Sequence, residues 1–492
     1  MTAPPFRFDN TYARLPARFF ARVTPSKVSA PSILAVNHEL CEILGVDAKA
    51  LDSVAGAQML SGNVVPEGAD PIALAYAGHQ FGHFVPQLGD GRAILLGEVV
   101  GKDGLRRDVQ LKGAGRTPFS RGGDGRAALG PVLREYVVSE AMAALGIPTT
   151  RALAAVRTGE RVLREEPLPG AVLTRVAASH IRVGTFEYFA SRGDGEAVTV
   201  LVEHALARHY PEASSSANAA LALLEHVIGA HARLVARWLS VGFVHGVMNT
   251  DNTSISGETI DFGPCAFLDE YDPNKTFSSI DRGRRYAYGN QPRIAQWNLA
   301  RLAECLLPLL GEDEDEAVRI ATERLEAFPA LFEAARAEAF AAKLGLSRKE
   351  EDDAALTSDL LERLAQNEVD FTLFFRKLCG AAESPSRDAE IATLFRQPGA
   401  FHDWALRWRA RLAKEERSPQ MCADAMRRVN PAFIPRNHRI EEAIARASQG
   451  DDAPFERLVR VLARPFEDQS GDEDLAQPPS PDERVLATFC GT

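Results

Sequence analysis

Residues 245–267 read HGVMNTDNTSISGETIDFGPCAF. Asn252 and Asp261 stand nine positions apart, with a Ser/Gly-bearing turn between them and Gly263 just beyond the carboxylate. An amide oxygen and a carboxylate are hard ligands, suited to a Mg2+ ion that also touches nucleotide phosphate. The β-branched pair Thr259-Ile260 predicts a strand that presents Asp261 at its end. Asp251 reads equally as a proton acceptor or as a loop hydrogen-bonder. The stretch points to phosphate chemistry, so the rest of the chain is read for the groups such chemistry needs.

Holding the phosphates of ATP takes a close glycine loop, a strand lysine, a carboxylate to steady that lysine, and metal ligands. Candidates for each occur in order. Gly89-Asp90-Gly91-Arg92 precedes a β-like run at 93–100, and reads as a phosphate loop or as a plain turn. Lys112 ends the next run, 106–113, and the glycines at 101 and 104 predict an antiparallel hairpin between the two. A further strand pair is expected near 150–156 and 172–174. Glu135 lies mid-helix in 127–145 among Val132, Leu133, Val137 and Val138, where a carboxylate wants a cation. Lys112 is its candidate partner, with Glu140 as the fallback carboxylate.

Residues 116–126, RTPFSRGGDGR, bring glycines and arginines to the start of that helix, and read as an anion site or a surface loop. Arg175 and Arg182, seven apart, share a face if their stretch is helical, and otherwise are solvated surface groups. His79 and His83 have metal-ligand spacing for a helix, but the glycines around them favour packed or hydrogen-bonded histidines.

The chain has 492 residues, 45% of them hydrophobic and 25% charged, which is ordinary for a globular protein with a sizeable core. A net charge of −11 argues against nucleic acid as the main partner. No apolar run approaches the ~18 residues of a membrane span. The N-terminus has no apolar signal core, and its arginines read as an irregular arm lying on the fold. Six scattered cysteines without a C-x-x-C make a zinc site or a disulfide scaffold unexpected. A cytoplasmic monomer without nucleic-acid or membrane partners is expected. A long amphipathic helix is predicted over 217–239, mostly helical chain beyond 291, and an acidic, proline-bearing strap over 466–483 that Phe489 and Cys490 dock.

Asn252, the turn and Asp261-Phe262-Gly263 resemble the magnesium-binding end of a protein kinase, yet His245, Gly246 and Val247 stand where a kinase HRD would put its catalytic Asp. Longer stretches are more specific: YAGHQFGHFVPQLGDGRAILLGE (76–98), QLKGAGRTPFSRGGDGRA (110–127), SHIRVGTFEYFA (179–190), the stretch 245–273, NQPRIAQWNLARLAE (290–304) and NPAFIPRN (430–437). With these the chain resembles the selenoprotein O family along nearly its whole length. The resemblance implies an α+β, protein-kinase-like two-lobed fold: an N-terminal arm (1–70), a β-rich N-lobe (71–180), a helical C-lobe (181–345), a helical extension (346–465) and an acidic tail (466–492).

It also implies a protein adenylyltransferase that moves AMP from ATP to Ser, Thr or Tyr hydroxyls of proteins and releases pyrophosphate. ATP is held flipped relative to a kinase, so a missing kinase Asp at Val247 is no defect. By the same resemblance Gly89, Gly91, Arg92, Lys112, Asp124, Gly125, Arg175 and Arg182 hold the nucleotide, and Lys112 pairs with Glu135. Asn252 and Asp261 hold Mg2+, with Mn2+ as the alternative, and Asp251 becomes the proton acceptor. A phosphotransferase and an inert nucleotide-binding scaffold are the competing readings. Some family members end in Cys-x-x-selenocysteine, whereas this chain ends FCGT; pairing of Cys265 with Cys490 is implied as a redox device, against two free thiols.

Overall fold

A computed structural model describes residues 6–489. Strands β1 (Phe20–Arg22), β2 (Ser32–Val36), β3 (Ile72–Leu74), β4 (Gly78–Gln80), β5 (His83–Val85), β6 (Ala93–Val100), β7 (Arg106–Lys112), β8 (Ala127–Ala128), β9 (Arg151–Leu163) and β10 (Pro167–Ala177) all precede residue 180. An antiparallel sheet runs in the order β1-β3-β6-β7-β10-β9-β2, β8 adds to β10, and β4–β5 form a separate hairpin. The hairpin expected at 101–104 joins β6 to β7, and the second expected pair is β9–β10, both longer than the sequence suggests.

Period-two alternation sorts the side chains of these strands. Ile94, Leu96, Val109, Leu111, Val172 and Val176 pack on one face with Leu40, Leu44 and Leu60. Leu95 and Leu173 join Val132, Leu133 and Tyr136 of helix α1 (Leu129–Ala144) on the other. The register pairs Leu173 with Lys112 and Arg175 with Gln110. Lys112, Gln110 and Arg175 therefore share the α1 face of the sheet.

Beyond 180 the chain is mostly helical, with α2 (Val183–Ala190), α3 (Ala219–Ser240), α4 (Gln291–Leu310), α5 (Phe328–Lys343), α6 (Phe371–Glu383), α7 (Asn437–Ser448) and α8 (Ala453–Leu462) among its helices. The Asn218 side chain caps α3 by accepting from the Leu221 N–H. Contrary to the sequence reading, α3 is long and apolar enough, by length and composition alone, to cross a membrane. Leu223, Leu224, Val227, Leu234 and Val235 are instead buried in the protein core.

Two-residue strands β11 (Phe243–Val244) and β12 (Ala266–Phe267) pair antiparallel and bring the two ends of the 245–267 stretch together. No strand leads into Asp261, against expectation. Thr259 makes one parallel bridge to Thr149, and Asp261 itself turns into the left-handed region at φ 63°.

The N-terminal arm lies on the sheet, burying Phe6, Tyr12 and Phe19. At the other end, α7 and α8 return to pack against α1. The acidic strap follows, but Phe489 does not dock it: that ring is 69% exposed. Leu475 and Thr488 are buried instead, and Thr488 donates from Oγ1 to the Pro264 carbonyl (2.6 Å) and from N to that of Phe277 (2.7 Å). Cys490, and with it the expected pairing to Cys265, lies outside the described residues.

Candidate active site

A cleft of about 810 Å³ opens between the α1 face of the sheet and the loop 247–264. Gly89, Gly91, Arg92, Lys112, Asp124, Gly125, Glu135, Arg175, Arg182, Asp251, Asn252 and Asp261, the twelve residues singled out for nucleotide, metal and catalysis, all line it. Such a volume suits a small-molecule ligand.

At its floor, four segments meet on one carboxylate. Lys112 Nζ reaches Glu135 Oε2 at 2.6 Å and Asp261 Oδ1 at 2.8 Å. Arg175 Nη1 lies 2.5 Å from Asp261 Oδ1 and 3.2 Å from Glu135 Oε1. Arg182 Nη1 donates to Asp261 Oδ2 and to the Asp251 carbonyl, both at 2.6 Å. Glu140, the fallback, is bound instead by Arg151 and Asn37.

The two arginines are not on one helix face: Arg175 is on β10 and Arg182 is the residue before α2. They converge because β10 points one inward and the turn into α2 returns the other. Burial pushes the Asp261 carboxyl up, but Lys112, Arg175 and Arg182 together hold it well below the usual carboxylate range. Burial likewise opposes the charge on Arg182, yet Tyr76, Asp261 and Asp90 raise its pKa above the ordinary arginine value.

Three polar atoms at this floor are buried without a hydrogen bond: Asp90 Oδ1, Asp251 Oδ1 and Arg182 Nε. Unsatisfied groups of this kind are costly, and a cluster facing a cleft fits a polar occupant. Burial lifts both Asp90 and Asp251 to about 6, against the pull of Arg182. Asn252 spends its amide N–H on the Val247 carbonyl (2.9 Å), and its Oδ1 accepts nothing among the described residues. Asn252 Oδ1 and Asp261 are thus two hard oxygens that fit a divalent cation whose other ligands come from phosphate and water. Among the described residues no cluster of three or more His, Cys, Asp or Glu could hold a metal by itself.

The roof is the 116–126 loop. Gly125 sits at φ 70°, and a Cβ there would lie 2.1 Å from the Gly115 carbonyl, so the loop closes only with glycine. Asp124 is spent inside the loop, accepting from the Arg126 N–H (2.9 Å) and pairing with Arg164 (2.9 Å). Its carboxylate shapes the rim rather than facing the floor.

Sequence reasoning missed a second layer. The motif at 78–85 folds as the β4–β5 hairpin rather than a helix, and it braces the loop that carries Asp251. The His79 N–H donates to Thr250 Oγ1 (2.6 Å), the Phe81 N–H to Asn249 Oδ1 (3.0 Å), and Gln80 Nε2 to Asp251 Oδ2 (3.2 Å). His79 Nδ1 pairs with Glu187, which also accepts from Thr250 Oγ1 (2.5 Å). His79 is hydrogen-bonded as the sequence reading favours, whereas His83 on β5 is exposed. A buried Gln110 completes the floor by bridging Arg175 and Asp90.

The sequence profile of a family described as Protein adenylyltransferase SelO matches residues 5–463. A protein of Rhodopseudomonas palustris named Protein nucleotidyltransferase YdiU is 61% identical over 488 residues, covering 99% of each chain. Proteins of the same name from a Bradyrhizobium species and from Methylorubrum extorquens are each 60% identical, over 488 and 494 residues, again with 99% coverage of both chains.

Proposed function

The chain belongs to the SelO family, and from that premise we propose that it is a protein adenylyltransferase, transferring AMP from ATP to protein hydroxyls and releasing pyrophosphate. The observation that carries this reading is the convergence of Lys112, Arg175 and Arg182 on Asp261 in a cleft that also holds Asp251 and Val247.

Transfer of AMP forms a bond from the acceptor oxygen to the α-phosphorus and breaks the bond from that phosphorus to the β-phosphate oxygen. Negative charge builds on the phosphate oxygens, and preorganised cations lower that barrier without needing to reorient. Lys112, Arg175 and Arg182 supply them, held at 2.5–2.8 Å around Asp261 and steadied by Glu135. Asn252 and Asp261 would hold Mg2+, or Mn2+ in its place, which when bound neutralises phosphate charge. Asp251 accepts the acceptor's proton, its carboxylate held by the Gln80 side-chain amide, which donates to Oδ2. Glycine-bearing loops at 89–91 and 122–125 admit phosphate close to the backbone.

We read the architecture as kinase-like and two-lobed, supported by the order of a sheet lysine, a helix glutamate, then Asn252 and Asp261. A phosphotransferase is disfavoured because Val247, not a carboxylate, stands on the cleft wall where such an enzyme keeps its base. Redox control through Cys265 and Cys490 and a cytoplasmic setting remain parts of the proposal.

Paired incubations with Mg2+ and a generic protein acceptor test the reading, one with ATP labelled at the α-phosphate and one at the γ-phosphate. Label on protein from the α-position only, lost in Asp261→Ala, is expected. Label from the γ-position only would make the protein a kinase, and binding of ATP with no transfer in the presence of reductant would leave a scaffold.

A further inference from the structure

Residues 277–289 lie between Asp261 and α4, and Ile280 is the one among them that lines the cleft holding Asp251 and Asp261. Its side chain is 60% exposed. The segment is tied at its far end: Tyr286 donates from its hydroxyl to Asn249 Oδ1 (2.7 Å), and its ring packs 5.1 Å from that of Phe81 on the β4–β5 hairpin. Residues 280–285 are therefore fixed beside the loop that carries Asp251.

Between these ties the chain reads Ile280-Asp-Arg-Gly-Arg-Arg285. Arg282 and Arg284 are exposed and make no ion pair among the described residues. Arg285 lies over the Trp297 ring at 4.8 Å, and its Nε has no hydrogen bond. The one local carboxylate, Asp281, is 5% exposed and turned inward, accepting from the Arg285 and Tyr286 N–H groups at 2.8 Å each. Arg284 is held at φ 52°, a conformation that costs an arginine more than it would glycine. In a protein of net charge −11, such an uncompensated pair of guanidinium groups is a local exception.

Position separates these arginines from the nucleotide. Arg92, Arg116 and Arg121 line the cleft and are within the space ATP would fill; Arg282 and Arg284 are not part of its lining. They follow the exposed Ile280 by two and four residues, in the stretch that Tyr286 ties to Asn249, two residues before Asp251. We propose that residues 280–284 dock the acceptor protein, with Ile280 meeting an apolar side chain and Arg282 and Arg284 selecting a hydroxyl flanked by Asp or Glu. This inference rests on the adenylyl-transfer reading and names the acceptor class for it.

The test uses the full chain, Mg2+, α-labelled ATP and three synthetic peptides that share one Ser/Thr/Tyr-bearing core, flanked by Glu, by Ala or by Lys. The Glu peptide should exceed the Lys peptide by about 10-fold in kcat/KM, the size expected of two exposed ion pairs, and the margin should shrink with salt. The double substitution Arg282→Glu, Arg284→Glu should reverse that order, with KM for ATP and Tm unchanged. Fluorescence anisotropy of the labelled peptides should show the same order and reversal without relying on transfer. Equal use of the three peptides by the unsubstituted protein, or an order that survives the double substitution, overturns the docking proposal while adenylyl transfer stands. A rise in KM for ATP with peptide order intact would assign the arginines to the nucleotide and overturn it too. Absence of α-label on any acceptor sinks the adenylyl-transfer reading itself, a separate failure that anisotropy still distinguishes from this one.

Discussion

Asp261 shows what one residue does to the site. Alone it is a carboxylate in a left-handed turn; with Lys112, Arg175 and Arg182 around it, it organises the entire floor. Lys112 and Glu135 were legible in the sequence because each sits in a recognisable local setting, and Asn252 and Asp261 because of their spacing, although the strand expected before Asp261 is absent. Gln80 was not, because its partner Asp251 is 171 positions away and nothing near Gln80 announces it. Gly78 is another residue whose role only the folded chain reveals. A Cβ there would lie 2.9 Å from Asp251 Oδ1, too close for both to stay, and 3.0 Å from Asp251 Cβ, tight enough that the side chain must give. Gly78→Ala should therefore displace Asp251 and lower kcat for AMP transfer by roughly 10–100-fold, with KM for ATP little changed. Steady-state kinetics check this, and an unaltered kcat would show that Asp251 does not need its present place.

At the scale of the element, helical patterning found α1, and β-like runs broken by glycine found the β6–β7 hairpin, because both signals are local. Patterning failed on short pieces. Arg175 and Arg182 suited a helix by spacing, yet a strand and a turn hold them, since β10 needs Val172, Leu173 and Val176 for two apolar layers. Helix α5 makes a different demand. Its last residue, Lys343, is 2% exposed, with Nζ 4.1 Å from the Phe375 ring centroid and 5.3 Å from that of Phe371. Burial pulls this amine from 10.5 down to about 7, with Cys379 opposing. The folded pKa is below the unfolded one, so between those two pH values the unfolded chain binds more protons. The penalty from Lys343 is then full below about pH 7 and fades as pH rises towards 10.5. Lys343→Met should be more stable than the unsubstituted protein by a few kcal/mol at pH 7, and the gap should narrow towards pH 10. Denaturant unfolding of both proteins across that range measures it; a gap independent of pH would mean the amine titrates normally.

Across the whole molecule, distant segments are joined by buried charge. Arg436, 1% exposed, pairs with Asp269 (2.6 Å) and Asp370 (2.8 Å), while its Nε donates to the Ala476 carbonyl (3.0 Å). Arg134 on α1 joins Glu441 on α7 and donates to the Cys265 carbonyl (3.2 Å). Arg436→Met strands two carboxylates and should cost about 3–5 kcal/mol, read as a fall in Tm or in the denaturant midpoint. A loss under 1 kcal/mol would mean that water replaces the guanidinium at little cost. None of these ties shows in the sequence, where an arginine's default is solvent. One further consequence concerns time. Thr488 holds the Pro264 and Phe277 carbonyls, yet it leaves the ribosome more than two hundred residues after Asp261. A chain made as far as Asp261 already carries the twelve cleft residues but lacks this last stitch, so synthesis itself schedules when the segment after Asp261 is fastened.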